Sequence, residues 1–343
     1  MEANLVKRLD IPYRGIPAAG LHGVGLRALP KNLWRLWRGF WKAGRILREF
    51  RPDVLLFTGG YIGVPVALAA RLLKGIAGSL SIVLYVPDIE PGLALKTLAL
   101  FADHIALTAP DSAGYFRRGK HTTVSGYPVR PDLKRLEKEQ ARKVFELEQE
   151  LPVLLVFGGS LGARSINRSL LAVLPGLLDH MQVIHVCGNL DWEEVANRQA
   201  DLSRVYPLVG RRYHPFAYLH EDMGAAFSAA DLVVCRAGAS TLGELPAMGL
   251  PAILVPYPHA WRYQKVNAVY LEKHEAAFVL ADEDLPSRLS ETVKNIMNDK
   301  NRRERMARAM RSLDKPKAAA QIVEIIRNLA GPDRRAGGEV KAW

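Results

Sequence analysis

"VFGGSLGARS", residues 156–165, joins the end of a buried strand to a glycine-rich turn and the start of a helix. The run "VLLVF" (153–157) is short, continuous and apolar, as a strand covered on both faces should be. Gly158, Gly159, Ser160 and Gly162 follow it. Glycines let the backbone turn tightly and let an anion approach the amides. The next stretch, "ARSINRSLLAVL", would point its N-terminal amides and positive dipole end at that anion. Ser160 can add a hydroxyl. The spacing is not the dinucleotide pattern G-x-G-x-x-G, and no Lys-Ser/Thr follows as in a Walker loop. Taken alone, the stretch fits a structural turn as well as a phosphate site.

Working outward, the same strand pattern recurs in "DVLLF" (53–57), "SIVLYV" (81–86), "HIALT" (104–108), "QVIHV" (182–186), "DLVVC" (231–235) and "AILVP" (252–256). Helical stretches separate these runs, which indicates parallel α/β sheets. With 343 residues the chain is comfortable as two domains. The charged segment "RPDLKRLEKEQARKVFELEQELP" (130–152) divides the strands into two groups. The expected organisation is a first domain over 1–133, a linker over 134–150 and a second domain over 151–316. A helix over 317–330 would pack back on the first domain, and 331–343 would form a loose tail.

Lys and Arg outnumber Asp and Glu by 47 to 35, giving a net charge of +12. That surplus favours an anionic partner such as a nucleotide, a nucleic acid or an acidic membrane surface, without choosing among them. No RNA- or DNA-binding motif accompanies it, so no nucleic-acid partner is expected. The two cysteines, Cys187 and Cys235, sit in or beside apolar runs and read as buried thiols of a reducing compartment. "MEANLVKRLD" lacks the apolar core of a signal peptide. No apolar run is long enough to span a bilayer.

A second strand-to-helix junction lies in "DLVVCRAGASTLGELPAMGLPAILVPYPHA" (231–260). Gly238, Ala239, Ser240 and Thr241 follow its strand, and Glu244 stands on the first turns of the next helix. Two helix N-termini facing one crevice would clamp a diphosphate. Glu244 reads either as an acid favoured by the helix dipole or as an acceptor for both hydroxyls of a ribose.

At these residues a family resemblance appears. "GGSLGARSIN", "CRAGASTLGELPAMGLPAILVPYPHA" and "QKVNAVYLEKHEAAFVL" resemble the C-terminal half of the MurG family, the N-acetylglucosaminyltransferases of peptidoglycan synthesis. "MEANLVKR", "FTGGYIGVPVALAA" and "GYPVR" are similar to earlier family segments in the same order, so the resemblance covers roughly 1–330. It implies a GT-B fold, two Rossmann-like α/β domains facing a cleft. The family's first glycine-rich loop belongs before "MEANLVKR", so the first domain is expected to lack its leading strand-loop-helix-strand.

The resemblance also implies an activity: inverting transfer of N-acetylglucosamine from UDP-N-acetylglucosamine to undecaprenyl-diphosphate-linked muramoyl-pentapeptide, lipid I to lipid II. No cofactor and no metal is implied. By similarity, Ser160 contacts the diphosphate and Arg130 supplies a cation. Ala239, Ser240, Thr241, Leu242, Gly243 and Glu244 form the phosphate-facing helix start, with Glu244 on the ribose. The backbone at His220 aligns with the residue that reads uracil. Gln264, and after it Asn267, would bond the sugar hydroxyls. On residue type alone Arg130 could equally be a linker charge, and Gln264 a helix-surface residue.

Several positions depart from the family. Tyr127 replaces the Asn of "GNPVR", Leu161 and Tyr263 replace glutamines, and "YVPDIEPG" (85–92) replaces the "HEQN" stretch, with Asp88 at the Asn position. Asp88 and Glu90 are candidates for a base or hydrogen-bond acceptor near the acceptor, or belong to a plain proline-flanked loop. Their D-x-E spacing also occurs in metal sites. The family's candidate base lies in the first loop. His185, His220 and His259 carry no mark of that role.

"LPKNLWRLWRGFWKAGRILREF" (29–50) reads as a helix with three stripes. Leu33, Leu36, Phe40 and Leu47 form one, Trp34, Trp37 and Trp41 the next, and Lys31, Arg35, Arg38, Lys42 and Arg45 the third. A core helix with snorkelling charges would look similar. Tryptophans bordering cations instead indicate a face for an anionic membrane, with Trp34, Trp37, Trp41, Arg35, Arg38 and Lys42 as contacts. The resemblance places the family's docking surface here, peripheral, on the cytoplasmic face of the cell membrane. Two other functions share these features: a GT-B transferase moving a UDP-sugar to a different membrane lipid, and an inactive nucleotide-binding remnant.

Overall fold

The computed structural model describes Val6 and residues 11–17, 29–77, 80–159, 162–258 and 263–331. The side chains of 29, 30, 33 and 73–77 are not described. Ser160, Leu161 and His259 lie outside the described residues. Two compact units emerge. One comprises the described parts of Met1–Pro87, Pro91–Ser125 and Ala319–Trp343, and the other Asp88–Glu90 with Gly126–Ala318.

In the first unit α1 (Leu29–Phe50) leads to β1 (Val54–Phe57), α2 (Gly63–Ala77), β2 (Ser81–Val86), α3 (Leu93–Phe101), β3 (His104–Leu107) and β4 (Thr122–Val124). The four strands pair in parallel in the order β1-β2-β3-β4. Ile82, Leu84, Ile105 and Leu107 of the inner strands pack with Ala43 and Leu47 of α1, Ala67 and Ala70 of α2, and Leu98 of α3. The small residues of α2 let α1 approach closely, and the two helices pack together. Arg71 of α2 pairs with Asp103 at 3.0 Å, and Asp103 also accepts from the Ile82 amide at 2.8 Å.

The second unit contains α4 (Lys138–Val144), β5 (Val153–Phe157), α5 (Arg164–Leu178), β6 (Gln182–Val186), α6 (Trp192–Val205), the single turn α7 (Val209–Arg212), β7 (Tyr213–Phe216), α8 (Met223–Ala229) and β8 (Leu232–Cys235). Then follow α9 (Thr241–Met248), β9 (Ala252–Leu254), α10 (Tyr263–Lys273), β10 (Ala277–Val279), α11 (Leu285–Asn298) and α12 (Lys300–Ser312). Helix α13 (Ala318–Ala330) follows, its residues from Ala319 onward falling in the first unit. The six strands are parallel, ordered β10-β9-β8-β5-β6-β7. Leu154, Val156, Val183, Val234 and Ile253 form the sheet side of the core, with Ile166, Leu170 and Leu174 of α5 and Val293 and Ile296 of α11.

Residues 134–150, read from their charge as a connector, are fastened to the second unit. Ala141, Phe145 and Leu147 are buried. Arg142 bonds Asp231 at 2.9 Å, and Asp231 accepts from the Val153 amide at 2.9 Å. Most of the charges face solvent, while an apolar minority and the buried Arg142 anchor the helix, a balance that a composition count does not register.

Candidate functional site

The strand order of the second unit reverses at its centre. From β5 the chain builds β6 and β7 on one side, and β8, β9 and β10 on the other. Loops leaving the carboxyl ends of β5 and β8 therefore part in opposite directions, and such a switch point leaves a crevice where α/β proteins hold ligands. A cavity of about 790 Å³ lies there, with Gly158, Gly159 and Gly162 on one wall and Gly238, Ser240 and Thr241 on the other. Gly162 has φ +81°, and a Cβ on it would collide with the Cys187 carbonyl. Only glycine lets the turn after β5 pass so close to the end of β6.

Gln264 lines the same cavity, and its Oε1 accepts from the Tyr257 amide at 2.9 Å. Thr241 is buried and donates to the Gly238 carbonyl at 2.6 Å, which tightens the entry to α9. Glu244 stands half-buried one turn in. Burial raises its carboxyl above the usual range, against a side-chain hydrogen bond from Ser240 and the nearby Arg130 guanidinium, which favour the charged form. Arg130 is exposed and pairs with Asp132 at 3.5 Å. Of the expected residues, Ser240, Thr241 and Gln264 line this crevice; Glu244 lies further along the first turn of α9 with Arg130 near it, neither among the lining residues, and Ala239 precedes Ser240 at the helix start. Leu242 and Gly243 face inward: Leu242 is buried, and Gly243 lies against the ring of Tyr127.

Other expected residues are placed differently. His220 is exposed beside Tyr218, ring centroids 4.6 Å apart, and is not among the residues lining the cavity. Asn267 is fully buried. Its Nδ2 donates to Asp88 at 2.8 Å and to the Ala237 carbonyl at 3.2 Å, and its Oδ1 accepts from the Ile89 amide at 3.0 Å. Those bonds tie the 88–90 segment to the end of β8 and leave Asn267 no surface for a sugar hydroxyl. Burial raises the Asp88 carboxyl, an effect partly offset by the Asn267 bond. Glu90 is buried. Tyr127 is raised by burial and then by the Glu244 and Asp88 carboxylates. Among the described residues no group of three or more His, Cys, Asp or Glu is arranged to hold a metal.

The sequence reading missed a set of charged groups in the cavity wall. Arg236 bonds Ser165 at 2.7 Å and the Val255 carbonyl at 3.2 Å, pairs with Asp282, and lies 5.2 Å from the Tyr257 ring. Arg164 pairs with Asp191 at 2.9 Å. The signal that could have found them is position. Arg236 directly follows β8, Arg164 opens α5 after the loop that leaves β5, and Asp191 ends the loop that leaves β6, the strand ends where ligand contacts gather in such folds.

Family models match two separate parts of the chain. The glycosyltransferase family 28 N-terminal domain matches residues 1–107, and the family 28 C-terminal domain matches 153–322. The UDP-N-acetylglucosamine--N-acetylmuramyl-(pentapeptide) pyrophosphoryl-undecaprenol N-acetylglucosamine transferase of Roseiflexus sp. (strain RS-1) is 40% identical over 96% of this chain and 81% of that protein. The chain belongs to the MurG family. The relative of the same name from Desulforudis audaxviator is 37% identical over 98% of this chain and 89% of its own length. The crystal structure of Acinetobacter baumannii MurG matches with TM-score 0.72 at 27% identity, over 96% of this chain and 88% of that one. The GT-B fold extends beyond the MurG family. A UDP-GlcNAc 2-epimerase from Neisseria meningitidis matches at TM-score 0.63 and 13% identity, over 96% of this chain and 88% of its own.

Proposed function

We propose that this protein transfers N-acetylglucosamine from UDP-N-acetylglucosamine to an undecaprenyl-diphosphate-linked muramoyl-pentapeptide, converting lipid I to lipid II. The observation that carries this reading is the crevice between β5 and β8. Two glycine- and hydroxyl-rich loops there turn into helices α5 and α9, with Glu244 on the first turn of one. Amides at two helix starts suit a diphosphate, and a carboxylate one turn in suits a ribose.

In the proposed reaction the acceptor hydroxyl oxygen attacks the anomeric carbon from the face opposite the nucleotide, so the configuration inverts. The bond from that carbon to the diphosphate oxygen breaks, and UDP leaves with the electron pair. Donors aimed at the diphosphate stabilise its growing charge. The hydroxyl proton must go to a base. Of the two acidic candidates, Asp88 is the better placed. It is half-buried with a carboxyl that burial raises above the usual range, whereas Glu90 is sealed.

The lipid-linked acceptor calls for a membrane-facing surface, and α1 supports one. Trp34, Trp37 and Trp41 are 56%, 59% and 55% exposed. Trp37 and Trp41 meet edge to face at 5.9 Å, and Arg38 lies 4.7 Å from the Trp34 ring. Among the described residues no helix is long and apolar enough to cross a membrane. The proposed disposition is peripheral attachment at the cytoplasmic face.

The test is transfer itself. The protein is incubated with UDP-N-acetylglucosamine and lipid I in vesicles, and disaccharide product and free UDP are measured together. Equal amounts of both are expected. Transfer to another polyprenyl or glycerol lipid, with none to lipid I, would favour the second GT-B reading. Donor binding without transfer to any lipid would overturn the enzymatic one.

A further inference from the structure

Arg164 occupies an electrostatically unfavourable position. It is the first residue of α5, where the helix dipole is positive. The first turn holds no acidic residue, and Ala163 gives the helix end no side-chain cap. A cation there adds charge to an end that already repels it.

A chain of hydrogen bonds nevertheless holds it. Arg164 Nε donates to Asp191 Oδ1 at 2.9 Å, and Asp191 is buried. Asp191 Oδ2 accepts from Asn167 Nδ2 at 2.9 Å, and the same amide group donates to the Cys187 carbonyl at 2.9 Å. Asn167 Oδ1 can only accept, so His185 Nε2, 2.9 Å away, carries the hydrogen. His185 Nδ1 must then accept from the Tyr213 hydroxyl at 2.7 Å. Burial pushes His185 down to about 3, in keeping with a neutral ring. From Tyr213 through His185 and Asn167 to Asp191, every donor points the same way. The buried end fixes the carboxylate, and the carboxylate fixes one edge of the guanidinium.

Among the described residues the rest of the guanidinium is not used. The Arg164 side chain is 61% exposed and lines the cavity beside Gly158, Gly159 and Gly162. Its Nη groups meet no acceptor among the described residues. A fork anchored through Nε, on a residue that lines a glycine-walled crevice, suits oxyanion recognition.

We propose that Arg164 is a diphosphate-binding residue of the donor site and that Asp191 is its positioning residue. This rests on reading the crevice as the donor site. An anion bound here removes the electrostatic misfit at the start of α5.

Calorimetry with UDP and with uridine on the full chain tests the proposal. Arg164→Gln should weaken UDP binding about tenfold or more and leave uridine within about twofold, since only UDP carries the diphosphate. Arg164→Lys should fall between, because a point charge cannot bridge Asp191 and a phosphate at once. Asp191→Asn should weaken UDP in the natural background and have no further effect in Arg164→Gln. A merely structural Asp191 would act in both backgrounds. UDP affinity unchanged in Arg164→Gln, or UDP and uridine falling together, would overturn the assignment while the donor reading stands. Failure of the natural protein to bind UDP would remove the donor reading itself, and this assignment with it.

Discussion

Helix α5 of the second unit turns Asn167 inward, onto His185, Asp191 and the Cys187 carbonyl, where each polar atom has a fixed partner. Helix α1 of the first unit turns Trp34, Trp37 and Trp41 outward, next to Arg38 and Lys42. Both helices are amphipathic, yet they invert the usual rule in opposite senses: one buries polar groups, the other exposes large apolar ones. The polar groups of α5 can be buried because each is bonded, whereas the exposed tryptophans of α1 leave an apolar stripe for a surface to cover. The buried network suits a small charged ligand that must be held in one geometry. The exposed aromatic stripe suits a broad, fluid surface that needs no exact register.

The sharpest way to break this contrast is Glu244→Ala. Hydrogen bonds to a charged group contribute about 1.5–3 kcal/mol each, so losing two to a ribose should weaken UDP-N-acetylglucosamine more than about 100-fold. Calorimetry on a variant with unchanged circular dichroism checks this. Trp37→Ala, on the other unit, should leave donor affinity unchanged. A common loss in both would mean that the two surfaces are not separate devices.

Gly243→Ala comes next. A Cβ at Gly243 would lie 2.7 Å from Cδ1 and 2.8 Å from Cβ of Tyr127. Ring and helix would have to part, at about 2 kcal/mol in denaturant unfolding, within the range for overpacking. Tyr127→Gly in the same chain should recover part of that loss, because it removes both colliding atoms. No recovery would place the strain elsewhere.

What the sequence disclosed follows from the same physics. Each apolar run identified as a strand forms one, and all but β1 are inner strands, which are covered on both faces and need continuous apolar sequence. The strands it hid, β4 "TTV", β7 "YHPF" and β10 "AFV", all lie at sheet edges, where one side is open and the pattern lapses. At the site, glycines and hydroxyls were legible because local backbone geometry demands them. Asn267 and Asp191 were not, since their roles depend on bonds to residues far away in sequence: Asn267 reaches Asp88, and Asp191 reaches Arg164. The family pattern drew Asn267 toward the sugar, and only the packed structure shows it tying the 88–90 segment instead.

The buried network makes a prediction in pH. His185 is lowered to about 3 when folded, against 6.5 when free. Between those values the unfolded chain binds a proton that the folded chain does not, so stability falls as pH falls through this window. From pH 7 to pH 5 the loss from this residue is about 2 kcal/mol. His185→Gln should flatten the urea-derived stability profile by that amount relative to the natural protein. Parallel profiles would show that His185 titrates normally in the fold.

On the first unit the effects should be smaller and salt-dependent. Lys42→Ala removes one cation beside Trp41. A basic residue near an anionic bilayer contributes about 1 kcal/mol, so vesicle partitioning should fall roughly fivefold at low salt and by less at high salt. Zwitterionic vesicles should show no difference. An equal drop on both lipids would indicate lost packing rather than lost charge.

The smallest effect separates the two units in the other direction. Gly44, in the middle of α1, has nothing among the described residues within 4 Å of the place a Cβ would occupy. Gly44→Ala therefore meets no neighbour, and it removes the backbone freedom that glycine gives the unfolded chain. It should stabilise the protein by about 0.5–1 kcal/mol, where the same change at Gly243 destabilises it. Identical chemistry with opposite sign would tie the contrast to packing: α9 is closed over Tyr127, while this part of α1 is open. If Gly44→Ala instead destabilised the protein while vesicle binding persisted, α1 would be packed more tightly at that point than the structure shows, and its outer face would owe its exposed tryptophans to something other than an open surface.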